Sequence, residues 1–398
     1  MKRRDFLKNT ALSTGGIWMV PSFLKGIEWS RADVLPAPRR LVIIQLSGGN
    51  DGLNTIIPYR NDAYYRARPK LGITREDALA LTDEVGLHPA LENLRALYDQ
   101  GQLSVVNGVG YPNPNRSHFR SLDIWHTASD SDQYLSTGWL GRYLDSHCEQ
   151  PYSVIETSDQ LSLAVKGSQM KGLAVQEPKR LFATARDEFF SALAQEAEPH
   201  LLDEHHQGYL YKTMVELYSS AEYLKEQLPD GHNAVDYPQN PLARQLKNVA
   251  QFISAGLQTR VYYTAIGGFD THVRQPEVHQ RQLKNYDGAV GAFVQDLQKQ
   301  GLMEDTLILT FSEFGRRVKQ NASRGTDHGT ANPLWVIGSK LHQPGLVNAY
   351  PSLTDLDGNG DLKHLIDFRQ VYASVLEQWL QADSVALLGE KFAPLKLV

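Results

Sequence analysis

Leu41-Val42-Ile43-Ile44-Gln45-Leu46, followed at once by Ser47-Gly48-Gly49-Asn50-Asp51-Gly52, is the stretch on which the fold turns. Its first six residues show no apolar/polar alternation, which fits a strand buried on both faces, as in a parallel sheet covered by helices. The glycine-rich exit marks the turn out of that strand. Further apolar runs at Leu103–Asn107, Val261–Ala265, Thr306–Phe311 and Leu334–Ile337 read as strands. Between them, Leu91–Tyr98 and Ser117–Thr127 read as helices. Leu242, Leu246, Val249, Ile253 and Leu257, then Leu283, Tyr286, Val290, Phe293 and Leu297, recur at helical spacing. A last helix is expected over Asp367–Leu380. This alternation predicts a three-layer α/β/α sandwich with a mostly parallel central sheet, built as one domain over residues 38–398. Residues 196–240, polar and rich in Glu, His and Pro, read as a helical insertion.

Composition sets the outer bounds. The chain has 398 residues, 41% of them hydrophobic and 21% charged, which excludes disordered, collagen-like and coiled-coil classes. A single cysteine, Cys148, rules out an intrachain disulfide and a thiolate zinc site. No apolar run of about 18 residues follows the N-terminal segment, so a multi-span membrane protein is excluded. Met1-Lys2-Arg3-Arg4-Asp5-Phe6-Leu7-Lys8 has the form of a twin-arginine export signal, and the weakly apolar stretch Thr10–Phe23 follows it. Residues 1–33 are therefore expected to be a signal peptide. Its partner would be the twin-arginine translocase and the destination periplasmic or extracellular, with membrane contact only through an uncleaved signal. Beyond residue 33 the chain carries 34 basic and 42 acidic residues, a net charge of −8. A nucleic-acid partner is not expected for such a balance.

In open α/β sheets ligands bind beyond the carboxyl ends of the strands. Those positions here hold Asn50-Asp51, Gly267-Gly268-Phe269-Asp270-Thr271-His272 and Ser312-Glu313-Phe314-Gly315-Arg316. Gly325-Thr326-Asp327-His328-Gly329-Thr330 leads into the strand at Leu334. Asp, Glu and His without Cys are the donors of a hydrolytic divalent-metal site, with Zn, Mn, Mg or Ca as candidates. Each loop taken singly also reads as a helix cap or a solvated turn.

Together, Leu46–Asn54, Gly268–His272, Ser312–Arg316 and Thr326–Gly329 resemble the bacterial domain-of-unknown-function 1501 family. That family is commonly exported by the twin-arginine route and is similar in fold to the alkaline phosphatase superfamily. The resemblance implies a metal site drawn from Asp51, Asp270, His272, Glu313 and His328, with His279 as a substitute and Asp327 orienting His328. It also implies a nucleophile at Ser117, at a helix N-terminus, with Arg116 holding anionic oxygens. Ser117 reads equally well as an N-cap. Glu313-Phe314 stands where catalytic members of the superfamily carry Asp-His, so one ligand of a second metal is missing. No Cys/Ser-x-Pro-Ser-Arg motif of the sulfatase branch is present.

Two function classes follow. One is an exported metal-dependent hydrolase of phosphate or related esters. The other is a non-catalytic periplasmic binding or assembly protein on the same fold. Asp355-Leu356-Asp357-Gly358-Asn359-Gly360-Asp361-Leu362 resembles the start of an EF-hand loop, but Ile366 stands at its twelfth position, so it reads as a Gly/Asp turn.

Overall fold

A computed structural model describes residues 39–185 and 206–398. The twin-arginine stretch, the rest of segment 1–33 and residues 196–205 of the expected insertion lie outside the described residues. The first apolar run forms β1 (Arg40–Leu46), buried along its whole length. It is followed by β2 (Leu103–Gly110), β3 (Val154–Glu156), β4 (Leu173–Ala174), β5 (Val261–Ile266), β6 (Thr306–Phe311), β7 (Asn332–Ile337), β8 (Gly345–Leu346) and β9 (Ile366–Asp367). These make one sheet in the order β8-β2-β7-β6-β1-β5-β3-β4, with β9 also paired to β2. Ile43 of β1 lies beside Tyr263 of β5 and Leu309 of β6, both in parallel register.

Helices α1 (Glu92–Asp99), α2 (His118–Thr127), α3 (Trp139–His147), α4 (His206–Gln227), α5 (Pro241–Ser254), α6 (Gln275–Lys299) and α7 (Phe368–Ser374) cover the sheet. Because side chains alternate along a strand, β1 serves two cores. Val42, Ile44 and Leu46 pack with Leu94 of α1, Leu224 of α4, Leu246 of α5 and Leu283 of α6. Leu41 and Ile43 pack with Trp125 of α2, Trp139 of α3 and Tyr372 of α7. The result is the expected three-layer α/β/α arrangement. The helix expected over 367–380 is divided: α7, capped by Asp367, passes into a π-helical turn at Val375–Leu380. There the Gln378 carbonyl accepts from Arg39 Nη1 at 3.0 Å, and the Gln378 side chain accepts from the Leu397 and Val398 amides.

Among the described strands of this sheet, only β7 runs antiparallel to both of its neighbours. The loops after β1, β2, β5 and β6 leave one edge of the sheet. Because β7 is reversed, it is the loop before it that reaches that edge. Strands of two or three residues, such as β3, β4 and the side sheet of Ile56–Ile57, Leu79–Ala80 and Gly86–Leu87, were not expected from the sequence. They are too short to carry a period. Among the described residues, no helix is long and apolar enough to cross a membrane.

Candidate metal centre

The loops at this edge are joined by one buried side chain. Arg316, in the loop after β6, donates from Nε to the Gly49 carbonyl (2.6 Å) and from Nη1 to the Thr326 carbonyl (2.9 Å). Its Nη2 reaches the Gly48 and Phe269 carbonyls and Asp270 Oδ1, the last at 2.8 Å. A buried guanidinium needs such saturation, since an unpaired charge there costs several kcal/mol. Gly48 makes the approach possible. It sits at φ +116°, and a Cβ on it would lie 2.5 Å from the Asp270 amide nitrogen. Partial burial pushes the Asp270 carboxyl up, but the hydrogen bond from Arg316 and the Arg316 charge prevail and hold it at about 2.

Three imidazoles converge on Asp270. The Nε2 atoms of His272, His328 and His118 lie 3.0, 3.2 and 3.6 Å from Asp270 Oδ1. On the far side of each ring, Nδ1 faces an oxygen. His118 Nδ1 lies 2.8 Å from Glu313 Oε1, His272 Nδ1 3.2 Å from Asp327 Oδ1, and His328 Nδ1 2.8 Å from the Arg116 carbonyl. A proton on Nδ1, donated to that oxygen, leaves the Nε2 lone pair free toward the centre, the arrangement that orients metal-ligating histidines. His118 Nε2 is buried without a hydrogen-bond partner. His272 and His328 bring their Nε2 atoms within 3.0 Å of each other. The donor atoms of His118, Asp270 and His328 all lie within 4.8 Å. An orphaned donor, nitrogens facing nitrogens and a central carboxylate fit a divalent cation. His118 is shifted upward by its hydrogen bond to Glu313, against burial, and His328 downward, chiefly by burial.

A family model described as "Protein of unknown function (DUF1501)" matches residues 38–387, the span that contributes every one of these groups. The chain belongs to the DUF1501 family. No curated relative matches it. Among solved structures it is similar to the C-terminal periplasmic domain of EcEptC from Escherichia coli in complex with Zn, at 12% identity over 77% of this chain and 74% of that one, with a TM-score of 0.38. It is also similar to the PsFucS1 sulfatase from Pseudoalteromonas sp., at 13% identity over 89% and 68%, TM-score 0.36. A third is the alkaline phosphatase from the Antarctic bacterium TAB5, at 9% identity over 76% and 92%, TM-score 0.32. These likenesses concern the path of the chain alone.

The structure distributes the expected site residues of this DUF1501 chain over several roles. Asp270, His272 and His328 come together. Glu313 meets the cluster through His118: its Oε1 accepts from the Gly48 amide and lies 2.8 Å from His118 Nδ1. Asp51 stands apart, fully buried with Oδ2 2.6 Å from Arg68 Nη1 and a further bond from Gln275. Burial pushes its carboxyl up, but the Arg68 charge and hydrogen bond prevail and hold it below the usual range. His279 is buried against Asn50 Oδ1 at 2.9 Å and does not join the cluster. Asp327 bonds His272, not the neighbouring His328.

Ser117 stands at the N-cap position of α2, as expected, yet its side chain makes no capping bond. The Arg116 side chain pairs with buried Asp361 at 3.0 Å, while its carbonyl serves His328. Phe314, which stands where the resemblance implies a ligand of a second metal, packs its ring 4.8 Å from that of His118 and 4.9 Å from that of His328. The segment 355–362 is a turn. Asp357 accepts from the Asn359 and Asp361 amides, and Leu356 bridges Leu362. The residue that sequence reasoning missed is His118. Its one visible signal was its place beside Ser117, at the helix start beyond the second strand.

Proposed function

We propose that this DUF1501 protein is an exported metal-dependent hydrolase of phosphate or related esters, built on one cation site held by Asp270, His118, His272 and His328. The convergence of three oriented imidazole nitrogens on Asp270 Oδ1 carries this reading. Three imidazoles and a carboxylate suit Zn or Mn better than Ca or Mg, which favour all-oxygen shells. When bound, the cation supplies Lewis-acid polarisation of an ester oxygen and acidifies water at the site.

The chain's own residues do the rest. Glu313, Asp327 and the Arg116 carbonyl fix the imidazole tautomers. Arg316 keeps Asp270 ionised. Ser117, exposed and uncapped beside His118, is the side-chain nucleophile candidate, with water as its alternative. Net hydrolysis adds water across the phosphorus–oxygen or sulfur–oxygen bond and releases the alcohol. Arg116, paired to Asp361 but partly exposed, remains available to an anionic oxygen.

One observation favours a second reading, a binding or assembly protein that retained a metal site. Phe314 fills the place of a ligand, and Asp51 is committed to Arg68. Elemental analysis of the protein loaded with Zn or Mn, together with turnover of phosphate and sulfate monoesters, separates the two. We expect one cation per chain, lost in Asp270→Asn and His328→Ala, with turnover lost alongside. Bound metal without turnover of any ester supports the binding protein, and no bound metal overturns both. Export is tested by Arg3→Lys/Arg4→Lys, which should retain the protein in the cytoplasm if the twin-arginine translocase is its partner.

A further inference from the structure

Phe314 also lines a cleft of about 310 Å³, within the size range of small-molecule sites. Tyr111, Pro114, Phe314 and Leu362 give it an apolar lining, and Lys363 and His364 stand exposed among the residues around it. Two of the polar side chains around it are already engaged. The Tyr111 hydroxyl pairs with Ser121 at 2.8 Å, and Lys363 pairs with Asp355. The wall is shared with the candidate metal centre, because the Phe314 ring that lines the cleft also packs on His118 and His328. The two other sides are tied to the same centre. Pro114 lies two residues before Arg116, whose carbonyl holds His328, and Leu362 follows Asp361, whose carboxylate holds the Arg116 side chain.

We infer that this cleft is the subsite for the alcohol portion of the ester, and that the portion it takes is a ring with an apolar face. The inference rests on the hydrolase reading for the word ester, but the ring-binding surface stands on its own geometry. A ring of about 6 to 10 heavy atoms seated against Phe314 would lie next to the side chain that packs on His118 and His328. A small, fully hydrated alcohol gains nothing from such a lining. Phe314 thus acquires a positive role. A histidine there would extend the polar centre, whereas phenylalanine divides an ionic half from an apolar half.

The test uses 2-naphthol and 2-naphthyl phosphate as ring probes and glycerol phosphate as the ring-free comparison. Titration calorimetry of the metal-free protein with 2-naphthol reads the cleft without any turnover. Saturable binding is expected, and it should weaken about tenfold or more in His364→Trp, whose indole would crowd the cleft. In the metal-loaded protein, kcat/KM for naphthyl phosphate should exceed that for glycerol phosphate by about tenfold or more, and the gap should close in the variant. If His364→Trp fails to fold, the wild-type calorimetry still decides. No saturable naphthol binding overturns the inference. Cleavage of both esters at equal efficiency overturns it too, while leaving the hydrolase reading intact. Naphthol binding that depends on residue 364, in a protein that cleaves neither ester, upholds the cleft and rejects the hydrolase.

Discussion

At Glu313 a carboxylate expected among the metal ligands stands against an imidazole of the cluster. Its Oε1 stands 2.8 Å from His118 Nδ1, and Oε2 accepts from Ser312 at 3.1 Å. The hydrogen bond to that oxygen, with its charge behind it, raises the basicity of the imidazole against burial. Glu313→Gln keeps the shape and removes the charge, so affinity for Zn should fall by roughly 10–100-fold without loss of fold, the usual cost of removing such a partner. Chelator competition measures it, and unchanged affinity would remove His118 from the site. The pair also shows why His118 escaped notice. A histidine in the first turn of a helix ordinarily reads as surface, and its partner lies 195 residues further along the chain. Arg68, which claims Asp51, sits in a segment without any period.

Among the elements, the turn after β1 carries the tightest constraint. Gly48 and Gly49 both have positive φ, +116° and +69°, and a Cβ on Gly49 would meet the Phe314 ring at 2.4 Å. Gly48→Ala should cost roughly 1–3 kcal/mol, combining strained backbone with a clash at the Asp270 amide. Urea denaturation checks this, and the same variant should weaken metal binding because it displaces Asp270. A neutral substitution would show that the loop gives way easily. This part of the molecule was legible from sequence, since a doubly buried strand ending in two glycines has few other readings. Strands β5 and β6 were legible for the same reason, and their loops supplied Asp270, His272 and Glu313. The direction of β7 was not legible. A six-residue apolar strand looks the same read either way, and only its pairing with β2 and β6 settles which of its two loops meets the site. The fold therefore came through nearly whole, whereas the site came through as the loops it is drawn from, without the pairings that assign their roles.

Across the whole molecule, buried ionisable groups set opposing limits on pH. Glu156, at the end of β3, is 6% exposed and accepts from the Ser162 amide at 2.7 Å. Burial raises its carboxyl to about 7. A carboxyl higher in the folded than in the unfolded chain stabilises fully below its unfolded value and loses that contribution as pH climbs through 7. The loss amounts to about 3 kcal/mol. Glu156→Gln should thus gain stability relative to wild type between pH 5 and pH 8, measured by urea denaturation at both. A constant difference would mean that Glu156 is already ionised in the fold. Burial acts oppositely on His88, His126 and His279, lowering them to about 3, 4 and 4. Their contribution is complete above about pH 6.5 and is lost as acid charges the unfolded chain. The π-helical turn adds a consequence of another kind. Gln378 touches Arg39 on one side and Leu397 and Val398 on the other, at the amino end of β1 and thus away from the loops that build the centre. The two ends of the described domain are neighbours. The chain can therefore be rejoined there and opened elsewhere, and a circularly permuted protein should assemble the same centre from a reordered sequence.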